Sequence, residues 1–165
     1  MTHQPLRVLF LSRRNTARSL MAEALMNQLG GGKFVARSAG AEAGEPDPLT
    51  FQELEKDRFE TTGLHPKTLQ ELLTTETEPF DFVFSLCDTA HHEQFPEWPG
   101  HPVSAHWSCE DPLLIDEPEF GKPVIYGRVL AELERRISIF MQLPFETLDR
   151  ISLQHHVDQM SGPGT

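Results

Sequence analysis

The sequence predicts an α/β fold, a three-layer sandwich with a short central parallel sheet of about four strands flanked by helices. Three observations predict it. The run Arg7-Val8-Leu9-Phe10-Leu11 is apolar without alternation, the pattern of a strand covered on both faces. A polar turn over residues 12–17 then leads into strong helix formers over residues 19–29. Phe34-Val35-Ala36-Arg37-Ser38 follows as a second strand, closing a β-loop-α-β unit.

The remaining elements follow in chain order. In the first helix Leu20, Met21, Ala24, Leu25 and Leu29 recur on one face, and Gly30-Gly31-Gly32 stops the helix. Residues 41–48, rich in Gly, Pro and acid, read as a loop, and Pro48 opens a helix running to about residue 59. Residues 69–73 form a short helical turn and residues 80–86 the third strand. Residues 88–102, with three prolines and a glycine, are loop. Residues 103–107 make a fourth strand, and residues 108–123 another loop. Residues 124–143 carry apolar groups at helical spacing, notably Val129, Leu133, Ile137 and Phe140, until Pro144 breaks the helix. A last helix covers about 146–160. With no repeat, low-complexity block or linker, the expectation is a single domain over 1–165, its core at about 6–145.

The 25 acidic against 14 basic residues give a net charge of −11, which repels nucleic acid and anionic membranes; neither is an expected partner. The only two cysteines, Cys87 and Cys109, argue against a disulfide-stapled secreted scaffold. No signal-peptide apolar region follows Met1, and Val8–Leu11 is too short to span a bilayer, so a cytoplasmic location is expected.

The same charge would repel a phosphate-like ligand unless a local positive site overrides it. Residues 12–19, Ser12-Arg13-Arg14-Asn15-Thr16-Ala17-Arg18-Ser19, supply such a site between a buried strand and a helix N-terminus. Unpaired helix N–H groups converge there and the macrodipole favours negative charge. Arg18 adds a planar fork matched to a tetrahedral oxyanion. The plain alternative is a capped strand-helix turn with solvated arginines.

The spacing Ser12-x5-Arg18-Ser19 resembles the Cys-x5-Arg-Ser phosphate loop of low-molecular-weight phosphatases and their arsenate reductase relatives. The resemblance continues in family order through Met21-Ala22-Glu23, Ser38-Ala39-Gly40, Pro46 with Pro48, residues 80–84, and Cys87-Asp88-Thr89-Ala90. It then runs through residues 95–100, His106-Trp107, Asp111-Pro112, Arg136-Ile137-Ser138 and Leu143-Pro144. It is most similar to the bacterial arsenate reductase branch. The resemblance implies that position 12 holds the nucleophile and that the N–H groups of residues 13–18, with Arg18, cradle the oxyanion. It implies that Asn15 shapes the loop, that Ser19 hydrogen-bonds the nucleophile, and that Asp111 is the general acid. Asn15, Glu23 and Ser38 match positions that hold a potassium ion in some reductases of this family. No tightly bound cofactor is expected beyond that ion.

The departures narrow the expectation. The family chemistry needs a thiolate, whose pKa falls at a helix N-terminus facing arginine. A serine hydroxyl starts several units higher, and it cannot be oxidised to a disulfide. Ser12 is therefore expected to bind an oxyanion without reducing it by the family route. Cys87 matches the first relay cysteine of thioredoxin-coupled relatives, but the second aligns with Phe95; glutathione or glutaredoxin then joins thioredoxin as a candidate external reductant. Cys109, two residues before Asp111, is a second redox candidate or simply a small apolar side chain. His91-His92 and His155-His156 read as polar surface and the two tryptophans as packing. Asp111-Pro112 alone would read as a turn. Leu113 and Leu114 follow Pro112 where tyrosine phosphatases carry aromatics, which favours arsenate reduction and arsenic resistance over phosphotyrosine hydrolysis. The alternatives are a catalytically impaired, regulatory oxyanion-binding pseudoenzyme, a Cys-to-Ser trap form, and a protein tyrosine phosphatase.

Overall fold

Four strands, β1 (Leu6–Ser12), β2 (Phe34–Gly40), β3 (Phe82–Ser85) and β4 (Val103–His106), form one sheet in the order β2-β1-β3-β4, with every pair parallel. The computed structural model describes residues 4–76, 78–86, 102–107, 109, 112, 118 and 121–160. Among these the helices are α1 (Arg18–Leu29), α2 (Pro48–Lys56), α3 (Leu69–Thr75), α4 (Lys122–Met141) and α5 (Arg150–Gln159). No helix among the described residues is long and apolar enough to cross a membrane.

The pleat sends successive side chains of β1 to opposite faces. Val8 and Phe10 join Phe82 and Phe84 in a core with Met21 and Leu25 of α1 and Val129, Leu133, Ile137 and Phe140 of α4. Leu9 and Leu11 face the other way, onto Val83, Ala39 and the α3 residues Leu69 and Leu72. Both faces of β1 are covered, which is why its sequence does not alternate. Trp107 closes the β4 side: its ring stacks on Phe84 at 3.9 Å and its Nε1 donates to the Val157 carbonyl of α5 at 3.2 Å.

Several expectations are corrected. α1 does not present one apolar stripe; residues 18–26 are buried all round, between the sheet, α2 and α4, while Leu29 is 42% exposed. α2 ends at Lys56, not near residue 59, because Arg58 takes a left-handed φ of 65° and turns Phe59 back toward Leu54. The turn expected at 69–73 is a capped helix to Thr75, with Thr68 Oγ1 accepting from Glu71 N. α4 begins two residues before the expected 124, with Pro123 in its first turn, and ends at Met141. α5 starts at Arg150 rather than 146: Thr147 and Leu148 bond back to the Pro144 carbonyl, and Asp149 caps through Ser152 N at 2.8 Å. β2 runs on to Gly40, and β3 is shorter than expected at 82–85.

At the opposite end of the sheet from the C-terminus of β1, Glu76 accepts from Arg7 of β1 and Arg37 of β2. Burial pushes its carboxyl up, but the two guanidinium groups outweigh this and hold it below the ordinary carboxylate value of 4.5. A folded-state pKa below the unfolded one contributes stability that is full above the unfolded value and lost as pH falls through the folded one. Glu76→Gln is therefore expected to lower urea stability at neutral pH and flatten its acid limb, the two curves converging once the pH has fallen below the folded-state value. Parallel curves across that range would contradict the assignment.

Candidate functional site

The chain leaves β1 for β2 on one side and returns through β3 on the other. Loops that diverge in this way open a crevice at the carboxyl ends of the strands. Residues 12–18 lie in that crevice and run into α1. Arg18, buried, ties the two sides together: its Nη1 donates to the carbonyls of Leu86, just after β3, and Cys109, each at 3.1 Å.

The loop is held from outside by its carbonyls. Ala41 N donates to Ser12 O at 3.2 Å, Glu42 N to Arg13 O at 3.1 Å and Gly44 N to Arg14 O at 3.0 Å. In a planar trans peptide the C=O and the following N–H point in opposite directions. Anchoring these three carbonyls outward therefore turns the N–H groups of residues 13, 14 and 15 inward. Asn15 N reaches Ser12 Oγ at 3.2 Å, as this requires. Asn15 adopts φ 56°, a left-handed conformation that asparagine tolerates better than most side chains. Gly40 makes the close approach possible, since a Cβ there would lie 2.5 Å from the Glu42 carbonyl oxygen and 2.9 Å from Asn15 N. Thr50 Oγ1 of α2 donates to the Thr16 carbonyl at 2.7 Å.

Inside the loop the polar groups form a chain. Lys67 N donates to Asn15 Oδ1 at 3.1 Å, so Asn15 Nδ2 is the atom that donates to Ser19 Oγ at 2.7 Å. Ser19 Oγ and Ser12 Oγ lie 2.6 Å apart and share a hydrogen bond in which either hydroxyl can donate. Ser12 Oγ also accepts from Asn15 N, so it is held by two partners at the centre of the loop. The N-cap of α1 is Ala17, which brings no side-chain acceptor to the helix N–H groups, so the capped-turn alternative is not what forms here. The side chains of Arg13 and Arg14, about half exposed, lean outward to Glu42. Of the three arginines expected to form a positive island, Arg18 alone is buried in the site; Arg13 and Arg14 face it through their backbone.

Sequence comparison matches residues 7–152 to the family described as low molecular weight phosphotyrosine protein phosphatase. The chain belongs to this family. Among its relatives, the glutaredoxin arsenate reductase of Synechocystis sp. is 30% identical over 106 residues, covering 64% of this chain and 78% of that protein. The solved arsenate reductase of Archaeoglobus fulgidus superposes with a TM-score of 0.65 at 32% identity, covering 82% of this chain and 99% of the other. The low molecular weight protein tyrosine phosphatase of T. tengcongensis gives 0.64 at 25%, covering 84% and 99%. The parallel sheet with flanking helices is thus shared with both branches of the low-molecular-weight phosphatase family.

Within this family member, residues 12–19, Glu23, Ser38 and Cys109 are described; Asp111, Cys87, Phe95, His91, His92, Trp98, Leu113 and Leu114 lie outside the described residues. Cys109 is partly buried, and its carbonyl accepts from Arg18. Ser38 Oγ donates to Glu23 Oε1 at 2.6 Å, and Lys67 Nζ stands 3.9 Å from the same oxygen. Burial raises the Glu23 carboxyl, partly offset by Ser38 and Lys67, and burial likewise lowers the Lys67 ammonium. His155 and His156 sit on α5, and no group of three or more His, Cys, Asp or Glu able to hold a metal occurs among the described residues. Sequence reasoning missed Thr50, Gly44 and Lys67. All three reach the loop from separate segments, and nothing in local spacing marks them.

Proposed function

We propose that this chain is an oxyanion-binding protein of the arsenate reductase branch. It takes arsenate or phosphate into the loop 12–19, and Ser12 withholds the thiol step by which its relatives would turn the anion over. The observation that carries this reading is the wiring of Ser12 Oγ, which accepts from Asn15 N and is hydrogen-bonded to Ser19 Oγ at the centre of a loop whose N–H groups face inward. Such wiring can stabilise negative charge at position 12, as a thiolate requires; on serine it leaves a neutral hydroxyl beside the bound anion. Arg18 supplies the full positive charge. Thr16, Ala17 and Ser19 complete the cradle with Arg13, Arg14 and Asn15, and Asp111 is the acid that would protonate a leaving oxygen.

Reduction of arsenate draws electrons from sulfur, and a hydroxyl offers none. Glutaredoxin, thioredoxin or glutathione would therefore matter only with a thiol present, at Cys87, at Cys109 or restored at position 12. The similarity to the Synechocystis reductase and the aliphatic pair Leu113-Leu114 after Pro112 favour arsenate over a phosphotyrosine ring. A cytoplasmic site of action fits such chemistry.

Calorimetric titration with arsenate, phosphate and sulfate tests the binding claim. Arg18→Ala is expected to weaken affinity by about 30-fold or more, the cost of removing one partner of a buried, charge-assisted contact. Arg18→Lys, which keeps the charge but loses the fork, should fall between the two. Undiminished binding by Arg18→Ala, or no binding by the unmodified protein, sinks the reading.

A further inference from the structure

We propose that the Lys67 ammonium is a built-in cation for the cluster of Asn15, Glu23 and Ser38, standing where a monovalent metal ion would otherwise bind and holding the oxyanion loop in place. The sequence resemblance implies a potassium site at these three residues, and the placement of Lys67 argues against one. A hard cation needs several oxygen ligands with free lone pairs. Asn15 Oδ1 already accepts from Lys67 N at 3.1 Å, and Glu23 Oε1 from the Ser38 hydroxyl at 2.6 Å. The Lys67 ammonium occupies the space beside them, donating to the His65 carbonyl at 3.0 Å and standing 3.9 Å from Glu23 Oε1. Lys67 itself is only 8% exposed, and its charge balances the cluster's single carboxylate. A second cation in the cluster would be repelled by the ammonium at close range.

The link to the loop is short. Lys67 donates its N–H to Asn15 and accepts from Gly40 N through its carbonyl at 2.9 Å. These are the two residues that set the loop's left-handed turn and its close crossing with β2. An ammonium anchored between Glu23 and His65 thus fixes the backbone on which Asn15, and through it Ser19 and Ser12, depend. A cavity of about 620 Å³ lined by Glu23, Arg37, His65, Lys67 and Glu71 opens beside the ammonium and gives a solvent cation a way in once the side chain is shortened.

The inference separates from a plain structural ion pair through its dependence on the kind of cation. The unmodified protein should melt at the same temperature in potassium, sodium and tetramethylammonium chloride of equal ionic strength. A rise specific to potassium would overturn the proposal. Lys67→Met and Lys67→Gln remove the ammonium, releasing the His65 carbonyl and leaving the Glu23 carboxylate without its counter-charge, and should melt about 3 °C higher in potassium chloride than in tetramethylammonium chloride. Folded variants indifferent to the cation overturn it. So do variants that fail to fold in every salt, whereas folding rescued by potassium supports it. Phosphate affinity in Lys67→Met should fall about 10-fold in tetramethylammonium chloride and recover in potassium chloride; unchanged affinity would contradict the link to the loop. This last arm rests on the oxyanion reading, but the melting arms do not. If even the unmodified protein fails to bind phosphate, the functional reading fails while the cation result still stands.

Discussion

Ser12→Cys is expected to raise turnover by about 10³-fold or more over the unmodified protein, since removing a catalytic nucleophile costs up to about 10⁶ elsewhere. The cradle needs no rebuilding for this. Asn15 N already donates to position 12 and Ser19 Oγ is within hydrogen-bond reach to do so, and the N-terminus of α1 and Arg18 add positive potential. Each of these lowers a thiol's pKa, so a cysteine there would be largely ionised near neutrality where a hydroxyl is not. Arsenate loss with glutathione or with a thioredoxin or glutaredoxin system, followed beside aryl phosphate hydrolysis, reads the gain. Appearance of arsenate reduction would mark a reductase site lacking only its sulfur. Gain confined to aryl phosphate would move the chain to the hydrolase branch. An inert variant that still binds phosphate would leave a pure binding protein and defeat the expectation.

The second large effect is on stability. Phe84→Ala should cost about 3–5 kcal/mol, the range for truncating a fully buried aromatic that leaves a cavity. Phe84 is fully buried at the centre of β3, stacked on Trp107 at 3.9 Å and edge-on to Phe140 at 5.2 Å. Its neighbours belong to β1, β4 and α4, so no single side chain can swing in to fill the space. Urea unfolding measures the loss, and a cost below about 1.5 kcal/mol would imply that the aromatic cluster collapses around the gap. The site should feel it as well. Phe84 is two residues before Leu86, whose carbonyl holds Arg18, so the folded variant should also bind phosphate more weakly.

What the sequence discloses depends on whether the deciding contact is local. β1 is legible because coverage on both faces removes alternation, and α1 because Leu, Met, Ala and Glu favour a helix wherever they are placed. The buried face of α1 is not legible, since burial between the sheet, α2 and α4 leaves no polar side to define a stripe. The place of the loop 12–19 between strand and helix is legible, but the division of labour among its arginines is not. It depends on Glu42, brought against Arg13 and Arg14 when residues 41–44 cross the loop. Lys67 shows the same limit more sharply. Its partners Asn15, Glu23 and Gly40 come from separate segments, and only the parallel crossovers make them its neighbours.

The outward anchoring of the loop's carbonyls has an evolutionary consequence. Because β2 and the segment behind it fix the peptide planes, an anion bound as proposed would meet a loop already ordered, and recognition and turnover become separable traits. On that reading, one codon can exchange sulfur for oxygen at position 12 and leave a chassis that holds a tetrahedral anion without transforming it.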